Sequence, residues 1–338
     1  MKLLISLIKP DADIYTVCQA GDKYIEEELH KVYNGKKTKK IERGIAFPSC
    51  ISLNNVVGHF SPMEADSIKM KAGDVAKLVC GAHIDGFAVT SAHTVVVGDA
   101  KADKGKANVI HAAHHALRAA ERLIKEGATN NEVTEAMNKI VGEYECNMVE
   151  GVLSHTVKKY CIDGNQSIIG KEVPLQQVEK WEFEKGQVIH MDVYVSTGEG
   201  KPKLSESRTT VYKRQLQNMY NLKIQKSRVF FAECCKRFPS LPFSLRAFED
   251  QIGAKVGVKE CVDHELLQEF QVIEEKASDV VAHFKSTVLV FPSKTVVLAG
   301  ALPIDAAKLS DASHSIKDEA LKALVARELF VAEKKEKK

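Results

Sequence analysis

The sequence predicts an α+β fold with a pseudo-twofold core and a mainly helical insert. Residues 71–75 (KAGDV) and 184–188 (EKGQV) open alike, and each segment runs into a strand-like stretch. A predicted strand pair, two helices and a second strand pair follow one another along the chain. Because residues 201–272 interrupt the second half, we predict a core of residues 1–200 and 273–338 with 201–272 as the insert.

The N-terminal half alternates helical and strand-like segments. Apolar residues recur at helical spacing behind Asp13, a residue type that caps helices, and valine-rich alternation indicates strands. Gly127 is a suitable end for a long amphipathic helix. We predict a helix over 14–33, strands over 46–59 and 76–97, a helix over 108–126 and another over 131–141.

The C-terminal half has a less regular pattern. We predict a strand over 188–195, a β-like segment over 209–212, and mainly helical structure from there to residue 270. A strand over 284–291 follows, and we expect a final helix that runs into the lysine-rich end at 334–338.

Composition and charge limit the kinds of function that the chain can have. A hydrophobic share of 44% in 338 residues is enough for the packed core of a large domain. The 48 Lys and Arg residues against 45 Asp and Glu leave a net charge of only +3, so affinity for a polyanion has to come from local clusters. The apolar run at 3–8 is too short for a membrane span, and we expect no membrane partner.

Eight cysteines are scattered without a CxxC pair or a recognisable secretory leader. This usage favours reduced thiols in a cytosolic or nuclear compartment. Because adjacent cysteines on a helix do not readily bridge each other, we expect Cys234 and Cys235 to be thiols.

Five separated motifs share their order and spacing with a known enzyme family. The motifs are 54–59 (NNVVGH), 81–86 (GAHIDG), 153–155 (LSH), 192–200 (DVYVSTGEG) and 284–288 (FKSTV). They resemble those of the type-2 methionine aminopeptidases, which have the pita-bread, or creatinase/aminopeptidase-like, fold. The resemblance implies this fold for nearly the whole chain.

Four further motifs resemble a non-peptidase branch of the same fold. They are 44–48 (GIAFP), 59–62 (HFSP), 208–214 (RTTVYKR) and 242–249 (PFSLRAFE), and they are similar to the proliferation-associated, ErbB-receptor-binding proteins. This resemblance implies association with ribosomes, ribosomal RNA and precursor particles, and growth control in nucleolus and cytoplasm. Relative to that family the sequence starts inside the first long helix, so we expect the family's N-terminal extension to be missing.

The metal-ligand positions of the peptidases are largely replaced. Aminopeptidase chemistry requires two divalent cations with oxygen and imidazole ligands, which that family supplies from two aspartates, one histidine and two glutamates. The resemblance places these positions, in that order, on Val79, Thr90, His155, Asp192 and Lys285. Val79 and Thr90 keep the family's spacing of 11 residues, and only His155 and Asp192 remain as ligand types.

Lys285 is the decisive replacement, because an ammonium at contact distance repels a dication. Coulomb energies at that distance are on the order of several kcal/mol even at an effective dielectric constant of roughly 20. We predict that Lys285 occupies the vacated cation position and pairs with Asp192. The sequence therefore predicts a pseudo-peptidase with no bound metal, no cofactor and no peptidase activity.

Two alternative interpretations give this site a ligand, either a zinc ion or a peptide N-terminus. His155, His190 and Asp192 would form a new mononuclear zinc site and support residual methionine aminopeptidase activity, since His190 and Asp192 share one face of a strand. Packing of His190 inside the sheet is the competing interpretation. His59 matches a substrate-contacting histidine of the peptidases, so the vestigial pocket would bind a peptide N-terminus without hydrolysis.

Two helical motifs have ordinary packing interpretations. His111 and His115 are spaced i,i+4, but the Glu that zinc proteases place between them is missing, so helix packing is favoured. Residues 321–325 (LKALV) resemble the family's LxxLL coregulator-binding helix, through which a protein partner could bind. The same leucines also suit an amphipathic helix packed on the body.

Lysine and arginine residues form three clusters. For any one cluster a solvated face is the ordinary interpretation, but three together favour contacts with phosphate backbones, with little sequence choice and strong salt dependence. The candidate nucleic-acid-binding residues are Lys36, Lys37, Lys39, Lys40, Arg43, Lys213, Arg214, Lys223, Lys226, Arg228, Lys334, Lys335, Lys337 and Lys338.

The clusters and the resemblance together define the expected function. We expect a catalytically inactive, RNA-binding, ribosome-associated regulator of growth and of translation or ribosome biogenesis. Its partners would be the ribosome and ribosomal RNA, without DNA sequence specificity, and its location cytoplasmic and nuclear or nucleolar.

Overall fold

Seven helices and sixteen strands make up the described part of the chain. A computed structural model describes residues 1–35, 38, 40–292, 294–300, 302–309 and 312–331, without the side chains of residues 330 and 331. The helices are α1 (Lys2–Leu7), α2 (Ile14–Lys31), α3 (Lys104–Leu123), α4 (Asn130–Glu143), α5 (Gln225–Arg237), α6 (Gln251–Asp263) and α7 (Glu319–Ala326). The strands are β1 (Arg43–Leu53), β2 (Val56–Gly58), β3 (Val75–Ile84), β4 (Phe87–Val96), β5 (Asn147–Met148), β6 (Leu153–Val157), β7 (Ser167–Ile169), β8 (Val188–Ser196), β9 (Lys203–Leu204), β10 (Val211–Arg214), β11 (Phe243–Ser244), β12 (Leu267–Glu269), β13 (Ile273–Glu274), β14 (Val281–Phe291), β15 (Lys294–Ala299) and β16 (Phe330–Val331).

The strand order of the largest sheet shows an internal duplication. Its main path runs β1-β3-β4-β14-β8-β6-β7, with β5 on β8 and with β15, followed by β16, on β14. β3 lies between β1 and β4, β8 lies between β6 and β14, and the two halves meet where β4 pairs with β14. Gly73, at φ +84°, precedes β3, and Gly186, at φ +87°, precedes β8; glycine enters this left-handed region without steric cost. The predicted pseudo-twofold core is confirmed.

Helices α3 and α4 cover one face of the central strands. Met191 and Val193 of β8 and Phe284 of β14 belong to the buried apolar cluster that these helices complete. Because side chains alternate along a strand, His190 and Asp192 of β8 point to the opposite face. The apolar face therefore fixes the register, and the other face carries the polar side chains of the site.

Side-chain caps place the starts of two predicted helices. Asp13 accepts a hydrogen bond from the Thr16 backbone at 3.0 Å, which confirms it as the cap of α2. Asp103 accepts one from the Lys106 backbone at 2.9 Å, so α3 begins four residues before the predicted position 108. None of the helices in the described ranges is long and apolar enough to cross a membrane.

The insert contains a small sheet as well as helices. α5 and α6 pack with β10, β11 and β12, and Phe230, Phe243 and Leu267 lie in their shared apolar cluster. The expected helical stretch is interrupted after Arg237 because Pro239 disfavours helical geometry at the residue before it. The limits 201–272 of the insert stay a prediction.

The C-terminal helix is shorter than the sequence predicts. α7 ends at Ala326 and the strand β16 follows at Phe330–Val331, so one continuous helix into the lysine-rich end is wrong; residues 332–338 themselves lie outside the described ranges. The guanidinium of Arg118 donates to the Val325 carbonyl at 3.2 Å, and Arg122 donates to the Arg327 carbonyl at 2.7 Å. These bonds satisfy carbonyls that the end of the helix leaves without an intrahelical partner.

Candidate functional site

The sheet register places the equivalent positions of the two halves in one row. Val79 of β3 pairs with Ala92 of β4, Ala92 pairs with Lys285 of β14, and Lys285 pairs with Asp192 of β8. Val79 and Asp192 each lie six residues past the glycine that opens their strand. The duplicated half-sites therefore face each other, one with a valine and the other with a carboxylate.

The Asp192 carboxylate is held from both sides. Lys285 Nζ donates to Oδ2, and His283 Nε2 donates to Oδ1. Burial alone would raise the pKa of Asp192, but the charge of Lys285 and the hydrogen bonds from Lys285 and His283 hold that pKa well below its usual value. The predicted pairing of Lys285 with Asp192 is confirmed.

His283 is the site residue that sequence reasoning missed. Its ring stacks on Tyr194 with centroids 3.6 Å apart, and burial lowers its pKa, so the ring is neutral. Donation from Nε2 leaves Nδ1 as an acceptor, and Nδ1 has no hydrogen-bond partner within the described residues. The signal was the period of two along β14, which places His283 on the same face as Lys285.

The donor set of this site does not fit the two metal ions of an aminopeptidase. Val79 offers no ligand atom, and the one carboxylate among the five ligand positions, Asp192, is already bound by an ammonium and an imidazole. Thr90 is 2% exposed, and its backbone N–H donates to the Thr287 hydroxyl at 2.9 Å. A site that binds two dications needs several anionic oxygens, and this site presents an ammonium in their place.

The alternative zinc site is not assembled either. His155 Nδ1 lies 3.1 Å from the Gly164 carbonyl, and His190 Nε2 lies 3.4 Å from the Ala88 carbonyl. Across the described residues, no group of three or more His, Cys, Asp or Glu side chains is placed to hold a metal ion. His190 therefore has the buried, packed role that was its competing interpretation.

A cavity of about 890 Å³ opens above this row of residues. His155, Asp192 and Lys285 line it together with the aromatic rings of Phe47 and Phe270. These two rings meet edge to face with centroids 5.3 Å apart. The peptidase-like pocket is therefore retained, with an apolar wall that the sequence motifs alone did not reveal.

His59 belongs to the same wall. Its ring lies edge to face with Phe270 at 5.4 Å, and Nδ1 is 3.2 Å from the Gln271 carbonyl. Burial lowers the pKa of His59 to about 4, so the ring is neutral near pH 7. The residue matched to a substrate-contacting histidine thus lies at the cavity as the resemblance implies.

Comparison with known proteins places the chain in a family. Residues 1–220 match metallopeptidase family M24. ERBB-3 binding protein 1 of Solanum tuberosum is 45% identical over 294 residues, which cover 87% of this chain and 76% of that protein. Proliferation-associated protein A of Dictyostelium discoideum is 40% identical over 342 residues, which cover 100% of this chain and 87% of that protein. The chain belongs to metallopeptidase family M24, among the proliferation-associated proteins.

A solved structure supports the same assignment for this M24 chain. The structure of a thermophilic Arx1 superposes with a TM-score of 0.88 at 28% sequence identity, and the match covers 97% of this chain and 95% of that one. The family match and this superposition confirm the pita-bread fold that the motifs imply.

The first basic cluster of this M24 chain is only partly described. Lys36, Lys37 and Lys39 lie outside the described residues, as do Lys334, Lys335, Lys337 and Lys338. Lys40 is exposed at the surface. Arg43 donates to the Tyr33 carbonyl at 3.0 Å, so its guanidinium is partly committed to the end of α2.

The second cluster divides into surface cations and structural ones. Lys213 is buried and paired with Asp163, so its assignment to an exposed cation surface is corrected. The reason is its place on β10, where the side chain reaches towards the core half of the chain instead of solvent. Arg214 donates to the Pro239 carbonyl at 3.2 Å and stacks over Phe231.

Three residues of the second cluster remain at the surface. Lys223, Lys226 and Arg228 are exposed around the start of α5. Arg228 also donates to the Lys223 carbonyl at 2.9 Å, which orders this turn. This group, Lys223, Lys226 and Arg228, is the α5 cation surface.

The two helical motifs have packing roles. His115 Nδ1 lies 2.8 Å from the Tyr144 hydroxyl, and His111 Nε2 lies 3.2 Å from the Leu309 carbonyl, so neither ring faces a shared ligand. Leu321 and Val325 are 9% and 8% exposed and join the cluster under α3. The apolar face of α7 is therefore occupied by the body of the protein and does not present a partner-binding motif.

Proposed function

We propose that this member of family M24 is a catalytically inactive, RNA-binding protein that acts on the ribosome as a regulator of growth and of translation or ribosome biogenesis. The main support for catalytic inactivity is the contact of the Lys285 ammonium with the Asp192 carboxylate. A dication at this place would have to displace the ammonium. It would then meet one carboxylate where a two-metal site uses several.

The α5 cation surface supports the RNA-binding half of the proposal. Lys223 and Lys226 are exposed, so their charge is available to a polyanion. They lie at the N-terminal end of α5, where the backbone N–H groups of Lys223 and Ile224 already donate to the Glu260 carboxylate, so the attraction for phosphate comes from the side-chain charges. A surface of this kind holds nucleic acid through its backbone and not through its base sequence.

The proposed partners are ribosomal RNA and the ribosome. They follow from the resemblance to the proliferation-associated proteins together with the α5 cation surface. A protein that acts on both mature and precursor particles works in the cytoplasm and in the nucleus or nucleolus, and we propose both locations. The eight cysteines are free thiols, which suits these reducing compartments.

Co-sedimentation with ribosomes over a salt series tests the RNA-binding half. The Lys223→Glu/Lys226→Glu variant reverses two charges at the α5 cation surface. The matched control, Lys125→Glu/Lys139→Glu, makes the same charge change at exposed positions near and on α4. We expect the α5 variant to lose about tenfold in affinity at low salt and to show a shallower salt dependence. Equal binding by both variants would remove the α5 cation surface from the proposal.

Metal loading followed by a peptidase assay tests the proposed catalytic inactivity. The protein is equilibrated with excess Co²⁺ or Mn²⁺, desalted, and assayed for metal content and for cleavage of Met-peptides. We expect neither bound metal nor cleavage, because the Lys285 ammonium competes with any dication for Asp192. One equivalent of bound metal together with cleavage would contradict the proposed inactivity and favour residual methionine aminopeptidase activity.

The cavity favours a second candidate function, recognition of a peptide end without hydrolysis. Its volume of about 890 Å³ lies within the range of small-molecule and peptide-end sites. Titration with peptides that are not cleaved would reveal this activity.

A further inference from the structure

The Lys285 ammonium has donors that the protein does not satisfy. An ammonium carries three N–H donors, and Asp192 is its only hydrogen-bond partner among the described residues. The Lys285 side chain is 15% exposed and lines the cavity. Because buried donors without a partner are costly, the remaining N–H groups must meet water or a ligand inside the cavity.

The floor of the cavity disfavours a cationic ligand. Both oxygens of Asp192 already accept hydrogen bonds, from Lys285 and from His283. A ligand ammonium would therefore find Asp192 already paired and would lie beside the positive charge of Lys285. The two other carboxylates of the lining, Glu150 and Asp163, are paired with Lys171 and Lys213. The groups that free methionine peptides present to an aminopeptidase are the wrong ones for this floor.

His155 offers the complementary acceptor. Its Nδ1 lies 3.1 Å from the Gly164 carbonyl, and since a carbonyl only accepts, Nδ1 carries the hydrogen. In this tautomer Nε2 is the acceptor, and the residue lines the cavity. The polar end of the cavity thus combines an ammonium donor with an imidazole acceptor.

The walls are apolar and aromatic. Phe47 and Phe270 meet edge to face, and Val79 and Ile162 line the same cavity. Leu175 lies at the mouth with its side chain fully exposed, at 101% of its reference area. An exposed leucine at the entrance of an apolar cavity is suited to cover an apolar group that enters it.

We propose that the cavity binds the free carboxylate of an N-acylated amino acid with an apolar side chain. Lys285 donates to the carboxylate, His155 accepts the amide N–H, and the side chain packs against Phe47 and Phe270. The same chemistry is present in a small N-acyl amino acid and in the C-terminal residue of a polypeptide. An aminopeptidase binds its ligand by the amino end, whereas this cavity would bind its ligand by the carboxylate end. This site is independent of the proposed RNA binding.

Three small ligands test the preference on the wild-type protein by ligand-observed NMR titration. N-acetyl-L-methionine has the free carboxylate, L-methioninamide has only the free amine, and N-acetyl-L-methioninamide has neither. We expect the acid to bind about tenfold more tightly than either amide, the discrimination that a hydrogen bond to a charged group supports. Tighter or equal binding of methioninamide, or no binding of the acid up to roughly 10 mM, would overturn the proposal.

Two peptides distinguish the sources of the ligand. An acetylated hexapeptide that ends in methionine is compared as its free acid and as its C-terminal amide. If the peptide acid binds more tightly than N-acetyl-L-methionine, the ligand is a polypeptide C-terminus. If it binds more weakly, the ligand is a small N-acyl amino acid. Both orders support the carboxylate, whereas measurable binding of peptide acid and peptide amide with equal affinity contradicts it.

Variants locate the interaction within the cavity. Lys285→Met keeps an unbranched side chain that is one atom shorter and has no donors, and we expect it to abolish the preference for the acid. Phe270→Leu keeps an apolar wall and should weaken the acid about threefold without changing its preference over the amides. Ser240→Ala is the control, since it removes a buried hydroxyl outside the cavity. Unchanged acid binding in Lys285→Met would overturn the proposal. Ribosome co-sedimentation of the same variants stays at the wild-type level, so the two proposals fail separately.

Discussion

Lys285 lies directly opposite Asp192 in the antiparallel pairing of β14 with β8, and its ammonium donates to the Asp192 carboxylate. The two side chains are 15% and 13% exposed. A buried ion pair contributes little or no more to folding stability than a well-packed apolar pair does. Removing one partner of the ion pair, however, leaves an uncompensated buried charge. The stability of this face of the sheet therefore depends on neither charge being left without the other.

The first prediction concerns that dependence. Lys285→Met leaves the Asp192 carboxylate with His283 as its only partner, and we expect the free energy of unfolding to fall by about 3 kcal/mol. Urea denaturation at pH 7 measures the change. Lys285→Met/Asp192→Asn, which removes both charges, should recover most of the loss. Additive losses in the double variant would show that the two residues do not act as a pair.

The second prediction concerns the joint between insert and core. Arg246 is 8% exposed, and its guanidinium contacts Asp22 at 2.6 Å and the Ser49 carbonyl at 3.2 Å. Arg246→Met removes the positive partner of Asp22, so we expect a loss of about 3 kcal/mol in unfolding free energy. Arg208→Met, at the half-exposed pair with Asp66, should cost less than about 1 kcal/mol. Similar losses in both variants would contradict a special role for the buried pair.

The third prediction is a decline of stability in mild acid. Burial lowers the pKa of His93 to about 4 and that of His190 to about 3, whereas a histidine of the unfolded chain titrates at about 6.5. Between those values the unfolded state binds protons that the folded state does not. The stabilisation is therefore complete above about pH 6.5 and is lost as the pH falls towards 4.

Urea denaturation between about pH 7.5 and pH 5 measures this slope. His93→Phe keeps a ring against Phe284 and removes one titrating group, so its slope should be shallower, by on the order of 1 kcal/mol at pH 5. Gln19→Ala, at an exposed position of α2, changes no titrating group and is the control, with an unchanged slope expected. A wild-type protein with constant stability over this range would refute the prediction.

The fourth prediction distinguishes packing from partner binding at α7. Leu321 is 9% exposed within the cluster under α3, so Leu321→Ala should lower the unfolding free energy by about 2 kcal/mol. Lys322→Ala removes only an exposed pair with Glu319 and should cost less than about 0.5 kcal/mol. Thermal unfolding of the two variants side by side is sufficient. An unchanged Leu321→Ala protein would return α7 to the role of a free binding helix.

The sequence predicted the features that local pattern determines. The matching glycines Gly73 and Gly186 identified the duplicated strands, and counting along each strand gave Val79 and Asp192 as equivalent positions. The resemblance to the aminopeptidases placed Lys285 and Asp192 on two metal-ligand positions, and their opposite charges then predicted the pairing. The duplicated strands needed only the matching glycines and the period of two along a strand, whereas the pairing also needed the resemblance.

The features that the sequence did not predict depend on partners distant in the chain. Lys213 is buried because Asp163, 50 residues earlier, neutralises it, and no local signal reports that contact. The third strand of the insert sheet, β12, is separated from β10 by both helices of the insert. α7 ends where the arginines of α3 meet it, about 200 residues away in the chain. Long-range contacts of this kind override local propensity.

The balanced charges of the central row make the site difficult to convert back into a metal centre one residue at a time. Lys285→Glu alone would place a second carboxylate against Asp192, and Val79→Asp alone would bury a charge beside Phe47 and Cys50. Each single step raises the energy of the folded chain before any cation can compensate it. The Lys285–Asp192 arrangement is therefore separated from a two-metal arrangement by intermediates of higher energy, which only simultaneous changes on β3, β4 and β14 would avoid.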